Sequence, residues 1–184
     1  MTSFKLNTVL VVFIGLALLF LFGCESNFKE VQKINFSAFT PSGEADSINL
    51  KYTDSGRIKA ILVSSKMLDF SNLDFTFTEF PNGIHVTLYD EKGKQTFITS
   101  DYAVSYKPTS IIDLQGKVKI TSQAGQILET QQLYYDQKNE WFFTEKSFKF
   151  TDPKGVSNGQ GIDFSKDFKI INSQKIAGQI DSAE

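Results

Sequence analysis

The chain has few of the residues on which catalytic and metal sites most often depend. Its 184 residues include one cysteine (Cys24), one histidine (His85) and one arginine (Arg57). A single cysteine cannot form a disulfide within the chain, and one cysteine with one histidine cannot supply the usual ligands of a zinc site. A net charge of -2 at pH 7 gives no basic surface for nucleic acid. The sequence therefore argues against a disulfide-stabilised, zinc-binding or nucleic-acid-binding protein.

Enzyme motifs are missing as well. His85 lies in a strand-like run, where a solvent-facing position is expected, and a Ser-His-Asp or Cys-His site would have to be built around this one residue. The pairs Gly93-Lys94 and Gly116-Lys117 lack the Ser or Thr that follows in a phosphate-binding P-loop. The carboxylates of Asp90-Glu91 stand in a turn, where they are expected to be solvated. The sequence predicts no catalytic residue, no metal site and no cofactor, and the protein is not expected to be an enzyme.

The composition is that of one folded, β-rich domain. Hydrophobic residues make up 41% of the chain and charged residues 22%, which is the range of globular proteins. Aromatic residues reach 14%, with 18 Phe among them, and aromatic side chains favour the pleated surface of β-strands. At about 150 residues per domain, a chain of 184 residues leaves little room for a second one.

The first residues have the pattern of an export signal. Lys5 precedes an apolar run from Val9 to Gly23, roughly 15 residues, which is short for a membrane-spanning helix. The run ends in Leu21-Phe22-Gly23-Cys24, which resembles a bacterial lipobox, in which the cysteine becomes lipidated. We expect residues 1–23 to be a lipoprotein signal peptide and Cys24 to be lipidated. The alternative is an uncleaved, slightly short membrane anchor, and in either case the rest of the chain lies outside the cytoplasm.

The remaining sequence divides into a tether and a β domain. Residues 24–45 show no sustained period and are predicted to be a lipidated N-terminus and tether. Residues 46–184 alternate short β-rich runs with turns, which predicts an all-β, antiparallel sandwich or barrel. Four of the turns end in a glycine that can adopt the positive φ of a hairpin: Asp54-Ser55-Gly56, Asp90-Glu91-Lys92-Gly93, Gln123-Ala124-Gly125 and Asp152-Pro153-Lys154-Gly155. They recur about every 30 to 37 residues, the scale of a structural repeat.

Several runs in the β domain alternate apolar and polar residues, so that the apolar side chains share one face of a strand. The apolar members are Phe75 and Phe77; Ile84, Val86 and Leu88; Val118 and Ile120; and Phe148 and Phe150. In a closed sandwich this face would be the core. In a sandwich splayed along one side it would line an apolar groove, and periodicity alone leaves both interpretations open.

An ordered series of short motifs resembles the LptC family, whose members are periplasmic components of the lipopolysaccharide export transporter. The motifs are Tyr52-Thr53-Asp54-Ser55-Gly56, Val86-Thr87-Leu88-Tyr89-Asp90 with Gly93, Ser100-Asp101-Tyr102-Ala103, Leu114-Gln115-Gly116-Lys117-Val118-Lys119-Ile120, Leu128-Glu129-Thr130 with Leu133-Tyr134-Tyr135-Asp136, and Gly159-Gln160-Gly161-Ile162-Asp163. They extend over about residues 48 to 180. The lipobox is a departure, because well-known members of the family have a transmembrane helix at that place.

The resemblance implies an open β jelly-roll whose hydrophobic interior holds the lipid A acyl chains of lipopolysaccharide. The residues expected to line this groove are Phe75, Phe77, Val86, Leu88, Phe97, Leu114, Val118, Ile120, Leu133, Phe148 and Phe150. The resemblance further implies an N-terminal edge, at Gly56 and Ile58, that faces the inner-membrane LptB/LptF/LptG ABC transporter. A C-terminal edge, at Ile176, Gly178 and Ile180, would pass the lipid to the periplasmic bridge protein LptA or its equivalent.

These implications place the protein on the periplasmic side of the inner membrane of a Gram-negative bacterium, as a carrier without catalytic groups. Two other functions stay open. One is a bridge-type carrier of the LptA/OstA kind, which would share the repeat. The other is a structural β-sandwich lipoprotein with a closed core and no lipid cargo. A splayed, apolar interior would favour transport, and a fully closed one would favour the structural role.

Overall fold

A computed structural model describes residues 39–180, and this part of the chain is built from eleven β-strands without a helix. The strands are β1 (Gly43–Asp54), β2 (Arg57–Phe70), β3 (Phe77–Phe80), β4 (Ile84–Tyr89), β5 (Gln95–Ser100), β6 (Tyr102–Tyr106), β7 (Ile111–Ser122), β8 (Ile127–Asp136), β9 (Trp141–Asp152), β10 (Gly155–Ser165) and β11 (Ile171–Ile180). Every strand pair is antiparallel, which confirms the predicted all-β, antiparallel fold.

The predicted signal peptide, the predicted lipidation of Cys24 and most of the predicted tether lie outside the described residues. Between residues 39 and 180, no helix is long and apolar enough to cross a membrane. Strand β1 begins at Gly43, slightly before the boundary expected at residue 46. The chain just before it is fixed to the end of β2 and to the turn that follows, because the Ser42 N–H donates to the Asp69 carbonyl oxygen at 2.7 Å and Asn72 Nδ2 donates to the Thr40 carbonyl oxygen at 3.2 Å.

Two long strands connect two parts of the sheet. Strand β2 pairs with β4 through Ala60–Val63 and with β3 through Leu68–Phe70. Strand β7 pairs with β6 through Ile111–Gln115 and with β5 through its last residues. The pairing β7-β5-β4-β2-β3-β6 therefore returns to β7, and the sheet closes on itself. We call the two parts the β4–β5 half and the β3–β6 half.

The four glycine-containing turns lie where the sequence predicts them, between β1 and β2, β4 and β5, β7 and β8, and β9 and β10. Gly56 and Gly93 have φ values of 75° and 77°, which residues with a Cβ adopt only at a cost. The β4–β5 turn is further held by Asp90, whose Oδ1 accepts hydrogen bonds from the N–H groups of Lys92 and Lys94, each at 2.8 Å.

The hydrophobic core lies between the two halves. It contains side chains from β4, β5, β7, β8, β9 and β10, together with Phe80 of β3, Ala103 of β6 and Phe168 of the turn after β10. The largest side chains that are almost fully buried are Phe142, Phe164, Ile84, Ile120, Leu128, Leu133 and Val118. Each contributes about 1.5 to 3 kcal/mol through the removal of apolar surface from water.

The long strands keep their apolar side chains inside by means of β-bulges. In β8 the inward residues are Leu128 and Thr130 before the irregularity and Leu133 and Tyr135 after it, so the inward positions change from even to odd numbers. A bulge adds one unpaired residue and thereby shifts the phase of alternation. Without it, one half of β8 would present its apolar side chains to solvent.

Candidate functional site

The inner face carries a continuous row of residues across nine strands. Residues directly opposite one another in antiparallel strands have side chains on the same face, so the register alone defines the row. In the order β1, β2, β4, β5, β7, β8, β9, β10 and β11 it consists of Leu50, Leu62, Val86, Ile98, Ile120, Leu128, Phe150, Ser157 and Gly178. We call it the inner row.

A second, shorter row lies beside it on the same face. It consists of Val118, Thr130, Phe148, Gly159 and Ile176. Gly159 is required there by packing, because a Cβ at this position would lie 2.7 Å from the Phe148 ring and would also collide with the Lys175 carbonyl oxygen. The glycine thus lets the Phe148 ring lie against the backbone of β10.

The middle of the inner row is packed. Ile98 is 3% exposed, and Ile120 and Leu128 have no exposed surface, because all three lie within the hydrophobic core. In the structure, the interior is therefore filled by its own side chains at this point. The expected groove is not an open channel along its whole length.

The inner face is exposed at both ends of the strand order. At the β1 end, Leu50 is 47% and Tyr52 65% exposed, and both oppose core-facing residues of β2. Ile58, which lies beyond the β-bulge of the β1–β2 pair, is exposed too. At the β11 end, Ile176 is 66% exposed although it faces the same side as Phe148. The interior is closed in the middle and apolar but uncovered at each terminal strand.

The structure corrects the expectation that Phe97 lines the interior. Phe97 pairs with Thr87 and Thr121, which lie on the outer face, and it is 44% exposed. Its neighbour Ile98 faces the core instead. The run Thr96-Phe97-Ile98-Thr99 has two adjacent apolar residues, so alternation does not determine which of them points inward.

Phe77 and Phe75 are also placed differently from the expectation. Phe77 stacks on Phe70 with ring centroids 4.5 Å apart and pairs with Tyr106, on the face opposite to that of the core residue Phe80. Phe75 precedes β3, is largely exposed and lies 5.8 Å from the Tyr106 ring. The two phenylalanines belong to an outer aromatic cluster. Strand β3 begins only at Phe77, and because Phe80 points inward, Phe77, three residues earlier, points outward.

The other eight predicted groove residues are brought together. Six of them belong to the buried core and two pack against it: Leu88, Leu114, Val118, Ile120, Leu133 and Phe148 in the core, and Val86 and Phe150 against it. Sequence reasoning missed Phe80, Ile98, Phe142, Ile162, Phe164 and Phe168, which are equally buried. In β10, glycines and polar residues separate the apolar residues, so the sequence pattern does not show that these apolar side chains share one face. Lipid binding by this face stays a prediction.

Aromatic rings dominate one side of the interior. Tyr135 stacks on Phe142 at 4.4 Å, Phe142 on Phe164 at 5.1 Å, and Phe164 on Phe168 at 4.8 Å between ring centroids. Burial raises the pKa of the Tyr135 hydroxyl above its usual value, with smaller contributions from the Glu140 and Asp136 carboxylates. The hydroxyl is therefore neutral throughout the physiological range.

Charge is absent from the two inner rows, whose polar members are only Thr130 and Ser157. The buried carboxylate of Asp113 lies on the outer face instead, where it accepts hydrogen bonds from Gln115 Nε2 at 2.7 Å and Gln132 Nε2 at 3.0 Å. Among residues 39–180 no group of His, Cys, Asp or Glu side chains is arranged to hold a metal ion. The inner face can accommodate apolar chains and offers them no reactive group.

The two predicted edges lie at opposite ends of the strand order. Gly56 and Ile58 are at the β1–β2 turn, and β1 pairs only with β2 among the described strands. Ile176, Gly178 and Ile180 are in β11, which pairs only with β10 in the same part of the chain. Each terminal strand therefore leaves one side of its backbone available for pairing with another strand.

A comparison with known families places the chain beside an established one. A family model described as lipopolysaccharide-assembly, LptC-related, matches residues 9–177. The matched range includes β1 to β10 and most of β11. A comparison with curated proteins finds no match.

Proposed function

Because the chain belongs to the LptC family, we propose that it is a membrane-anchored periplasmic carrier of lipopolysaccharide. Membership in the family implies a part in lipopolysaccharide export and a place in the bacterial envelope. In the finer role that we propose, the protein accepts lipopolysaccharide from the inner-membrane LptB/LptF/LptG ABC transporter and passes it to the periplasmic bridge protein LptA or an equivalent. The observation that carries the proposal is the uncharged inner face, whose inner row is continuous across nine strands and which is exposed at Leu50 in β1 and at Ile176 in β11.

The energetic need for such a row follows from the cargo. At about 0.8 kcal/mol per methylene group, exposure of one acyl chain of about a dozen methylenes to water costs on the order of 10 kcal/mol. Transfer between two similar apolar surfaces costs little by comparison. A carrier of this kind needs no catalytic group, and the direction of transport comes from ATP hydrolysis in the transporter.

The uncovered ends of the inner face support entry at β1 and exit at β11. Leu50, Tyr52 and Ile58 offer apolar surface beside the free edge of β1, and Ile176 offers it beside the free edge of β11. Strand addition at either edge would join this sheet to that of a neighbouring protein and extend the apolar face without a gap. In the packed middle, acyl chains would have to replace contacts between side chains.

Photo-crosslinking in cells tests the proposal. A photoreactive residue is placed at an inward position, Val86, Ile98 or Val118, and matched controls carry it at Phe97 or Lys119 on the outer face. We expect lipopolysaccharide adducts at the inward positions only. Equal labelling of inward and outward positions would contradict the proposed route of the lipid.

The membrane anchor requires a separate test. We propose that Cys24 is lipidated after cleavage of residues 1–23, and that Cys24→Ala leaves the precursor unprocessed. Metabolic labelling with a fatty acid would then mark the wild-type protein and not the variant. Equal labelling of both would refute lipidation at this cysteine and favour an uncleaved membrane anchor.

The completely buried middle of the inner row favours a second candidate, a structural β-sandwich lipoprotein without lipid cargo. A bridge-type carrier of the LptA/OstA kind is a third. The structural lipoprotein predicts that no inward position forms a lipopolysaccharide adduct in a correctly folded protein. The bridge-type carrier predicts lipopolysaccharide adducts that form equally well in cells whose transporter lacks its own periplasmic component.

A further inference from the structure

The turn between β10 and β11 buries an aromatic ring that its sequence would leave in water. The turn, Lys166–Ile170, is rich in charged residues, yet Phe168 at its centre is 5% exposed. The φ of Phe168 is 57°, in the left-handed region, which is unusual for a bulky residue that is not glycine. This conformation belongs to the turn itself, in which the Phe168 N–H donates to the Ser165 carbonyl oxygen at 2.8 Å.

The ring of Phe168 lies against the inner row. Its centroid is 4.8 Å from that of Phe164 and 6.3 Å from that of Phe150, with interplanar angles of 21° and 24°. Phe150 is a member of the inner row, and Phe164 faces the same interior. Phe168 therefore fills part of the apolar interior from a turn, whereas its neighbours there belong to strands.

Polar contacts hold the turn independently of this ring. Asp167 Oδ1 accepts hydrogen bonds from Ser165 Oγ at 2.8 Å and from the Lys169 N–H at 3.2 Å, and Lys169 Nζ lies 2.6 Å from Asp167 Oδ2. The Lys166 N–H donates to the Glu140 carbonyl oxygen at 2.9 Å, which fixes the turn to the β8–β9 turn. Withdrawal of the Phe168 side chain from the interior breaks none of these bonds.

We propose that Phe168 occupies, in the lipid-free protein, a binding site for one fatty acyl chain, and that an entering chain displaces its ring. The inference rests on the proposed carrier function and adds to it the place where a chain binds and the residue that yields to it. The exchange replaces one set of apolar contacts on Phe164 and Phe150 by another.

A single tryptophan reports the displacement. The full-length protein in detergent micelles carries Trp141→Phe, which removes the native tryptophan, together with Phe168→Trp. On addition of purified lipopolysaccharide we expect the emission of this tryptophan to shift to longer wavelength and its acrylamide quenching constant to rise at least twofold. A matched protein with Phe70→Trp, a buried ring of β2 that stacks on Phe77 outside the two inner rows, serves as the control and should change little.

Truncation distinguishes a displaceable ring from ordinary core packing. Phe168→Ala and Phe70→Ala both remove a buried phenyl ring, and both should lower the thermal midpoint. We expect only Phe168→Ala to increase the yield of lipopolysaccharide adducts at a photoreactive residue 86, by twofold or more. Phe168→Leu replaces Phe168→Ala should the latter fail to fold.

The two proposals fail in different ways. If no inward position captures lipopolysaccharide, the carrier function itself is wrong. If residue 86 captures lipopolysaccharide while a tryptophan at 168 stays protected, the carrier function stands and the role of Phe168 is refuted. Equal effects of Phe168→Ala and Phe70→Ala on the adduct yield would likewise show that Phe168 is an ordinary core residue.

Discussion

Phe97 and Ile98 are neighbours in β5 and point to opposite faces of the sheet. Ile98 is buried between Val86 and Ile120 in the inner row. Phe97 lies between Thr87 and Thr121 on the outer face and is 44% exposed. We predict that Ile98→Ala lowers the free energy of unfolding by about 2 to 5 kcal/mol, because it leaves a cavity in a packed interior. Phe97→Ala should change it by less than about 1 kcal/mol. Denaturant titration measures both, and a larger loss for Phe97 would overturn the assignment of faces.

The same pair of residues shows what could be predicted from the sequence. Strands with strict alternation, such as the one containing Val86 and Leu88, revealed their inward face, and glycine turns such as that at Gly56 revealed the hairpins. The adjacent apolar residues at 97 and 98 do not show which of the two points inward. Their orientation is set by the pairing of β5 with β4 and β7. Burial of a side chain is decided by the register, which is a property of the whole sheet.

Turns without glycine were harder to locate from the sequence. The segment around Phe168 contains no glycine, and a phenylalanine flanked by Asp167 and Lys169 has no recognisable period. Its burial follows from a left-handed backbone at Phe168 and from the two aromatic residues that receive its ring. Bulges such as the one between Thr130 and Tyr134 cannot be predicted from the sequence either, because a bulge is defined by the pairing of two strands.

Gly159 provides a test of close packing at the β10–β11 end. Gly159→Ala should cost about 1 to 3 kcal/mol, because the new methyl group would collide with the Phe148 ring and with the backbone of β11 at Lys175. Gly56→Ala is the matched control. Gly56 has no atom near the position of a Cβ, and only its φ of 75° opposes alanine, at about 1 to 2 kcal/mol.

Hydrogen exchange separates these two glycine variants. Gly159→Ala should accelerate amide exchange in β11, whereas Gly56→Ala should accelerate it only near the β1–β2 turn. Unchanged exchange in β11 of the Gly159 variant would mean that Phe148 and β11 accommodate the methyl group. The close approach inferred at this position would then be wrong.

Asp113 offers a test of buried polar bonding on the outer face. Gln132 Nε2 donates to Asp113 Oδ1 at 3.0 Å and also to the Tyr134 hydroxyl at 2.8 Å. Gln132→Leu leaves the buried carboxylate with one amide donor fewer, and we expect a loss of about 1 to 3 kcal/mol in unfolding free energy. Gln131→Leu, at the exposed neighbouring position, should be nearly neutral. Equal effects of the two substitutions would show that the hydrogen bond to Asp113 adds nothing.

Asp167 makes the β10–β11 turn sensitive to acid. The Lys169 ammonium, followed by the Ser165 hydroxyl, lowers the pKa of its carboxyl to about 2, below the usual value of 3.8. A carboxyl with a lowered pKa in the folded state stabilises the protein above the unfolded pKa, and this stabilisation is lost as the pH falls towards 2. Because the Asp167 side chain is 40% exposed, solvent screening limits the contribution to about 1 kcal/mol at most.

We therefore predict that Asp167→Asn lowers the unfolding free energy by up to about 1 kcal/mol at pH 7, and that the difference from wild type shrinks steadily between pH 4 and pH 2. Lys169→Met should behave in the same way, because it removes the main cause of the lowered pKa. Urea titrations at several pH values measure the difference. Since the bonds of Asp167 do not involve the Phe168 ring, neither variant should imitate the increase in adduct yield expected of Phe168→Ala. A difference that persisted undiminished at pH 2 would show that Asp167 acts through packing and not through its charge.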